Sequence, residues 1–200
     1  MTTAGAHTDR ERLRALLRER SVRIGDFVLA SGARSSYYID ARLTTMAGLG
    51  QVLIGRTAVR AFDEVGWAPR AVGGLTLGAD PVAYAIAHAA TLAGRTIDAF
   101  TVRKEAKRHG TGRTIEGALE QGATVVIAED VITSGASAQR AIRAVEDAGS
   151  RILGVLAVVD REEGGRAALQ DAGYDVVALF TAGELLDDPG AGRDIGLDTP

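Results

Sequence analysis

The residues best suited to chemistry lie between Val125 and Ser137, where an apolar run ends in two adjacent acids, Glu129 and Asp130. A loop rich in hydroxyl and small residues follows, and a helix is predicted to begin near Ala136. Free N–H groups converge at the start of a helix, and the helix dipole favours negative charge there, so this loop suits a phosphate dianion. The two acids suit hydrogen bonds from sugar hydroxyls. The stretch therefore indicates a site for a sugar phosphate.

Two other interpretations of this stretch stay open at this point. It could be an ordinary strand–turn–helix with a polar cap, or Glu129 and Asp130 could hold Mg²⁺ for a nucleotide. It is not a P-loop, because no Gly-Lys-Ser/Thr follows a glycine-rich turn, and it is not a dinucleotide-binding fingerprint.

A second candidate is the cationic segment from Arg103 to Arg113, which holds both lysines of the chain, Lys104 and Lys107. Five Lys or Arg side chains stand there against one Glu, in a chain of formal net charge −3. Its two glycines indicate flexibility. A mobile cationic loop suits a departing pyrophosphate, and its closure would exclude water. The alternative is a solvated surface loop, with His109 as one of its solvated residues.

These segments must be positioned by the elements around them, which alternate between apolar runs and helical patterns. The predicted strands are Ala71–Gly73, Ile97–Val102, Thr124–Ala128, Ile152–Val159 and Val176–Phe180. The predicted helices are Ala47–Val65, Pro81–Ala93 with Asp80 as N-cap, Ala136–Ala148 and Gly165–Ala172. This order predicts an α/β fold with a mainly parallel sheet flanked by helices. Ligands of such sheets bind at the carboxyl ends of the strands.

The N-terminal part, about residues 8–45, is predicted to form a helix and a small hood. Thr8 and Glu11 form a capping box, and Phe27–Leu29 and Tyr37–Ile39 read as short strands. Residues 1–200 are expected to form one domain, with a mobile tail over 187–200. The long helix is expected to place four residues in the core: Val52, Leu53, Val59 and Phe62.

Composition limits the function classes. Apolar residues make up 46% and charged residues 24%, as in globular proteins. The acidic balance disfavours a broad nucleic-acid or membrane surface. Absence of cysteine excludes disulfides, a cysteine nucleophile and thiolate metal sites. No signal peptide or membrane-spanning run is recognised, so a cytoplasmic protein is expected.

The stretch 125–137 resembles the phosphoribosyl pyrophosphate signature of type I phosphoribosyltransferases. Residues 103–110 (Arg-Lys-Glu-Ala-Lys-Arg-His-Gly) resemble the catalytic loop of the orotate phosphoribosyltransferase family. The resemblance extends to three further segments: the hood at 27–32 and 37–40, the pyrophosphate loop at 73–81, and the strand end at 158–161, where the family places an orotate-binding arginine. It covers about Leu13 to Leu186.

The resemblance implies transfer of ribose 5-phosphate from phosphoribosyl pyrophosphate to orotate, with pyrophosphate leaving, in pyrimidine nucleotide synthesis. It implies Lys107 and Asp130 as catalytic residues, and Thr133 and Arg161 as orotate-binding residues. Phosphoribosyl pyrophosphate would be bound by Arg103, Lys104, Lys107, His109, Glu129, Asp130, Val131, Ile132, Thr133, Ser134, Gly135, Ala136 and Ser137. Mg²⁺ would enter mainly with the substrate rather than on dedicated protein ligands. A homodimer with shared sites is implied.

The chain departs from the family at two places. Many members carry a lysine where Ala30 stands and a Tyr-Lys pair where Leu77 and Gly78 stand. Other interpretations are a phosphoribosyltransferase for another base, such as a purine, or a regulatory protein that senses phosphoribosyl pyrophosphate and binds DNA or RNA. Arg161 could instead form a surface salt bridge with Glu162 or Glu163.

Overall fold

The computed structural model describes residues 8–28, 32, 34–105 and 114–187. The strands are β1 (Val22–Val28), β2 (Arg34–Ile39), β3 (Ala71–Leu75), β4 (Asp98–Val102), β5 (Ile115–Gly117), β6 (Thr124–Ile132), β7 (Arg151–Asp160) and β8 (Val176–Thr181). The helices are α1 (Asp9–Ser21), α2 (Arg42–Thr45), α3 (Gly48–Glu64), α4 (Ala79–Leu92), α5 (Ala136–Asp147), α6 (Gly165–Asp171) and α7 (Ala182–Leu186).

The main sheet has six strands in the order β5-β4-β3-β6-β7-β8, and all neighbours are parallel except β4 and β5. The predicted mainly parallel α/β fold is therefore confirmed. Strands β3, β4 and β5 follow one another toward one edge of the sheet, and strands β6, β7 and β8 follow one another toward the other edge. The order thus reverses between β3 and β6, and this switch point is where open α/β sheets bind ligands.

Residues of the central strands alternate between two cores because side chains of a strand point to opposite faces. In β6, Val126 and Ala128 pack with residues of α1, α3 and α4, whereas Val125 and Ile127 pack with residues of α5 and α6. The four side chains are buried. Burial on both faces explains why this strand reads as a continuous apolar run.

The N-terminal helix begins as predicted. The Thr8 hydroxyl accepts from the Glu11 N–H, and the Glu11 carboxylate accepts from the Thr8 N–H at 2.7 Å, which completes the capping box. The two hood strands are antiparallel and longer than the sequence indicated, with an irregularity between Ile24 and Phe27. Leu29, the predicted end of the first strand, lies outside the described residues, as do residues 188–200.

Four sequence predictions need correction. Val52 is 44% exposed, whereas Leu53, Val59 and Phe62 are buried as expected. Its position on α3 lies just beyond the face that meets the core. The other three concern local boundaries. β6 continues through the acids to Ile132, the short strand β5 was not recognised, and α4 begins at Ala79 with Gly78 as N-cap.

Asp80 therefore is not the N-cap of α4, because its carboxylate has other partners. It accepts hydrogen bonds from the hydroxyls of Thr76 and Thr101, at 2.6 Å and 2.8 Å. Within the described ranges, no helix is long and apolar enough to cross a membrane.

Candidate functional site

The candidate site lies at the carboxyl ends of β3, β4, β6 and β7. In the register of the sheet, Glu129 on β6 pairs with Ala157 on β7, and Ile132 pairs with Asp160. Arg161 follows directly, and its backbone N–H donates to the carbonyl of Ile132 at 2.9 Å. The acid pair and the candidate base-binding arginine therefore belong to neighbouring strand ends, as the sequence indicated.

Glu129 is almost fully enclosed, with 4% of its surface exposed. Burial, and then the charge of Asp130, raise the pKa of Glu129 to about 8. Its Oε1 atom makes no hydrogen bond within the described part of the chain. The side chain lines a cavity of about 50 Å³ together with residues 131–138. At neutral pH Glu129 is therefore a protonated acid, able to donate one hydrogen bond as well as accept.

Asp130 is half-buried and faces a different neighbour. Burial raises the pKa of its carboxyl, while the Val131 N–H, which donates to Oδ1 at 2.9 Å, and the Arg42 guanidinium act to lower it. A Cβ atom at Gly78 would stand 2.4 Å from Asp130 Oδ1. The segment after β3 thus touches the acid at the switch point, and a side chain at position 78 would require the Asp130 carboxylate to shift.

The phosphate-suited loop is shorter than predicted, since Val131 and Ile132 belong to β6 and the Ile132 side chain is buried. At these two positions a ligand can bind to the backbone of a strand, not to that of a loop. The turn comprises Thr133–Gly135, with Gly135 in the left-handed region at φ 77°. Among the residues that the structure describes, no side chain caps the start of α5, so its first N–H groups suit a ligand.

Hydroxyls surround this turn. Thr133, Ser134 and Ser137 are exposed. The Gly165 N–H donates to the Thr133 carbonyl at 2.9 Å, which ties the turn to the start of α6. A Cβ atom at Gly165 would come within 2.2 Å of that carbonyl, so the close approach requires glycine. The turn is thereby held in place without using its hydroxyls.

The described part of the cationic segment leaves the end of β4. Arg103 and Lys104 are exposed, and the Arg103 N–H donates to the Thr114 carbonyl at 2.8 Å. Arg140 of α5 donates to the Lys104 carbonyl at 2.6 Å. The base of the segment is therefore fixed beside α5. The predicted residues Lys107 and His109 lie outside the described residues.

Arg161 has features of both of its interpretations, the ligand-binding residue and the partner of an ion pair. It is 8% exposed, its Nη2 lies 2.8 Å from Glu163 Oε1, and its guanidinium lies 5.4 Å from the ring centroid of Tyr37. The Glu163 contact is the predicted ion pair, but its orientation does not make a hydrogen bond, and Nε also lacks a hydrogen-bond partner among the described residues. A buried guanidinium with unsatisfied donors suits an anionic ligand.

Sequence reasoning missed Arg42. Its guanidinium donates to both carboxylate oxygens of Asp40, at 2.8 Å and 2.9 Å, and this pairing lowers the pKa of Asp40. Arg42 also acts electrostatically on Asp130, so it brings positive charge from the hood to the site. No local pattern around Asp40 and Arg42 signals this approach, which depends on how the hood folds over the sheet.

His88 also lies elsewhere than its apolar sequence neighbours suggest. The pattern favours a packing residue of α4, but the side chain is exposed and lines a surface groove between α3 and α4. Among the described residues, no group of three or more His, Asp or Glu side chains could hold a metal ion.

The comparisons with known proteins agree on one family. The family model of the phosphoribosyl transferase domain matches residues 49–178. The chain is 45% identical to the orotate phosphoribosyltransferase of Aquifex aeolicus over 181 residues, which cover 89% of this chain and 98% of that protein.

Solved structures give the same result. A crystal structure of Mycobacterium tuberculosis orotate phosphoribosyltransferase with Fe(III) dicitrate superposes with a TM-score of 0.80 at 43% identity, covering 90% of this chain and 100% of that chain. A structure of that enzyme in complex with 5-phospho-α-D-ribosyl 1-diphosphate has a TM-score of 0.76 at 39% identity, with 89% and 99% covered.

The raised pKa of Glu129 predicts how stability depends on pH. Between 4.5, the ordinary pKa of a glutamate side chain, and about 8, the folded state keeps a proton that the unfolded state releases. The free energy of unfolding therefore falls as pH rises through this window. Glu129→Gln removes the effect, so the variant should exceed wild type by at least about 1 kcal/mol at pH 8 and gain little below pH 5.

Urea unfolding of the ligand-free protein from pH 5 to pH 8.5 would measure this difference. Glu64→Gln, at an exposed position on α3, is the matched control and should follow the wild-type profile. If Glu129→Gln also runs parallel to wild type, Glu129 is ionised in the folded state and the assignment is wrong.

Proposed function

Since this chain belongs to the orotate phosphoribosyltransferase family, we propose that it transfers ribose 5-phosphate from phosphoribosyl pyrophosphate to orotate. The products are orotidine 5′-monophosphate and pyrophosphate, a step of pyrimidine nucleotide synthesis. The observation that carries the proposal is the meeting, at one edge of the sheet, of the acid pair, the uncapped start of α5 and the unsatisfied guanidinium of Arg161.

The ribose 5-phosphate end occupies the β6–α5 turn. The phosphate accepts hydrogen bonds from the first N–H groups of α5 and from the hydroxyls of Thr133, Ser134 and Ser137. The ribose hydroxyls bind Asp130 and Glu129. Because Glu129 is protonated at neutral pH, its carboxyl can donate to one sugar oxygen, while the carboxylate of Asp130 accepts from the hydroxyls.

The reaction separates charge at the C1 carbon of the ribose. As pyrophosphate leaves, this carbon gains positive character. We assign the stabilisation of this charge to the carboxylate of Asp130. Orotate then supplies a ring nitrogen to the carbon. The protein contributes mainly by positioning the two reactants and by stabilising charge.

The leaving pyrophosphate is assigned to the cationic segment. Arg103 and Lys104 stand at its base with exposed side chains, and Lys107 and His109 complete the assignment. The backbone bonds from Arg103 and to Lys104 do not use either side chain. The Arg103 guanidinium lies 3.4 Å from the Glu105 carbonyl and 3.7 Å from Glu116, so a ligand would replace these partners.

Orotate is assigned to Arg161 and Thr133. The fork of guanidinium donors fits a carboxylate or a pair of carbonyl oxygens, and the Tyr37 ring packs against the guanidinium, with its centroid 5.4 Å away. Thr133 reaches the same region because its turn is tied to the strand end that carries Arg161.

Mg²⁺ would be held mainly by oxygens of phosphoribosyl pyrophosphate. The half-buried carboxylate of Asp130 is a suitable oxygen donor for it, and hard cations of this kind bind through one or two carboxylates plus phosphates. When bound, it would neutralise charge on the leaving group.

A homodimer is part of the proposal. Large apolar side chains are exposed along α2, α3 and α4 and the segment between β3 and α4: Leu43, Met46, Leu49, Val52, Leu77, Tyr84 and Leu92. Exposed apolar side chains of this kind suit burial against a second copy of the chain. In the dimer, the cationic segment of one subunit would serve the site of its partner. The cytoplasmic location, and the absence of nucleic-acid and membrane partners, stay predictions from the sequence.

Consumption of orotate tests the proposed reaction directly. With Mg²⁺ and phosphoribosyl pyrophosphate, purified protein should turn over orotate, and Lys107→Ala should reduce kcat by about a hundredfold or more, because a cation on the leaving group is lost. Turnover with another base alone would overturn the choice of orotate. Tight binding of phosphoribosyl pyrophosphate without turnover of any base would favour the regulatory interpretation. Unchanged turnover in Lys107→Ala would refute the loop assignment.

Arg161→Lys tests the base site. The substitution keeps the charge but loses the paired donors, so KM for orotate should rise by about tenfold or more while KM for phosphoribosyl pyrophosphate stays within about twofold. Glu163→Gln is the control, since it removes only the ion-pair partner and should leave KM for orotate equal or lower. Equal increases in both KM values for Arg161→Lys would refute a specific contact with orotate.

Mixing two inactive variants tests the shared site. Lys107→Ala and Asp130→Asn damage different parts of the site, so a mixed dimer holds one intact site if the cationic segment crosses between subunits. Random pairing makes about half of the dimers mixed, and activity should return to about a quarter of wild type. Sedimentation velocity should give the mass of a dimer. Absence of any recovery from a dimer proven to exchange subunits would place both residues in one subunit's site.

A further inference from the structure

One acid next to the site has no part in the proposed reaction so far. Asp80 lies in the first turn of α4, partly buried, and both of its carboxylate oxygens accept hydrogen bonds from side-chain hydroxyls. Thr76 donates to Oδ2 at 2.6 Å, and Thr101 donates to Oδ1 at 2.8 Å. Hydrogen bonds to a charged acceptor are stronger than neutral ones. Asp80 thus joins two chain segments that are distant in sequence.

Each of the two threonines belongs to a segment next to the candidate site. Thr76 is the first residue after β3, and its own N–H donates to the Val102 carbonyl at 2.8 Å. Thr101 belongs to β4, two residues before Arg103, where the cationic segment begins. The Asp80 carboxylate therefore fixes the segment Thr76–Gly78 against the strand that carries the cationic segment.

The other side of Thr76–Gly78 faces the ribose site, because Gly78 comes against the Asp130 carboxylate. The segment thus lies between the acid assigned to the ribose and the base of the cationic segment. A pyrophosphate attached to the C1 carbon of that ribose and bound by the cationic segment would lie beside Thr76–Gly78. Neither Leu77 nor Gly78 offers a polar side chain, so the segment can bind a phosphate only through backbone N–H groups, whose direction depends on how the segment is held.

We propose that Asp80 is a positioning residue for the pyrophosphate of phosphoribosyl pyrophosphate, and this inference rests on the proposed function. Through Thr76 and Thr101, it holds Thr76–Gly78 and the start of α4 so that the N–H groups of Leu77 and Gly78 point at the leaving group, while the Thr76 N–H stays bound to the Val102 carbonyl. In this chain residue 78 is a glycine, so the fixed backbone supplies the donors of this segment.

A purely structural role is the competing explanation, because an acid in the first turn stabilises a helix through its dipole. The two explanations differ in which ligand they affect. Phosphoribosyl pyrophosphate spans the whole site, whereas ribose 5-phosphate reaches the β6–α5 turn and the acids but carries no pyrophosphate. Loss of positioning should weaken only the first ligand, and loss of structure should weaken both.

Calorimetric titration of Asp80→Ala with Mg²⁺ and each of the two ligands makes this comparison. The dissociation constant for phosphoribosyl pyrophosphate should rise by about tenfold or more, while that for ribose 5-phosphate should stay within about twofold of wild type. Asp80→Asn, which keeps one acceptor oxygen, should show a smaller loss. Equal weakening of both ligands, or no weakening of either, would overturn the proposal.

Thr101→Val provides a second variant, which keeps the α4 charge and the shape of the side chain. It removes the hydrogen bond to Asp80 and the 3.2 Å contact with the exposed Tyr84 hydroxyl, and it should also weaken phosphoribosyl pyrophosphate selectively, by several-fold. Its effect should not add to that of Asp80→Ala, because both act through one network. Unchanged binding in Thr101→Val would assign Asp80 to the helix alone.

These measurements separate the inference from the reaction. A wild type that binds phosphoribosyl pyrophosphate but leaves orotate unchanged would refute the choice of base, while the comparison of the two ligands would still decide the role of Asp80. A wild type that binds no phosphoribosyl pyrophosphate would overturn both.

Discussion

The structure depends on one strand, β6, which is buried on both faces and yet continues into two acids. Its neighbours β3 and β7 enclose it, and Val125 to Ala128 are fully buried. The strand therefore carries Glu129 and Asp130 into a region where charge is poorly solvated. The two acids meet this cost differently. Glu129 keeps its proton, whereas Asp130, less buried, accepts the Val131 N–H and lies near Arg42. The site thus combines one neutral and one ionisable acid on a single strand end.

Close approach of backbones brings the other segments to these acids. Gly74 on β3 lies so near β6 that a Cβ atom would stand 2.2 Å from the Ala128 carbonyl, and Gly78 lies against the side-chain carboxylate of Asp130. On the far side, Gly165 fits against the turn after β6. These glycines let three strand ends converge within the reach of one ligand. A side chain at Gly74 or Gly165 would clash with a backbone carbonyl of the neighbouring segment and force the two segments apart.

The sequence predicted features that depend on neighbouring residues, and it missed features that depend on contacts between distant residues. The apolar run of β6 and the capping box of α1 are local, and both predictions were correct. The end of β6 was predicted too early, because two adjacent acids ordinarily lie beyond the end of a buried strand, where water can solvate their charges. The prediction of Asp80 as a helix cap was wrong, because Asp before Pro is only a local cap signal. Its actual partner Thr101 lies on another strand, and only the fold brings them together. The roles of individual site residues came from family resemblance, not from spacing.

Three cations near the site share a final property, namely that each lies beside an acid. Arg42 pairs with Asp40, Arg161 with Glu163, and Arg103 lies 3.7 Å from Glu116. The Arg103–Glu116 pair is long and exposed, and pairs of this kind contribute about 0–1 kcal/mol, so a phosphate ligand can replace Glu116 there at little cost. The partners still orient the cations before the ligand arrives. The acids lie fixed at the centre and the cations come from the hood, β4 and β7, which suits a ligand with a hydroxylated sugar between two anionic ends.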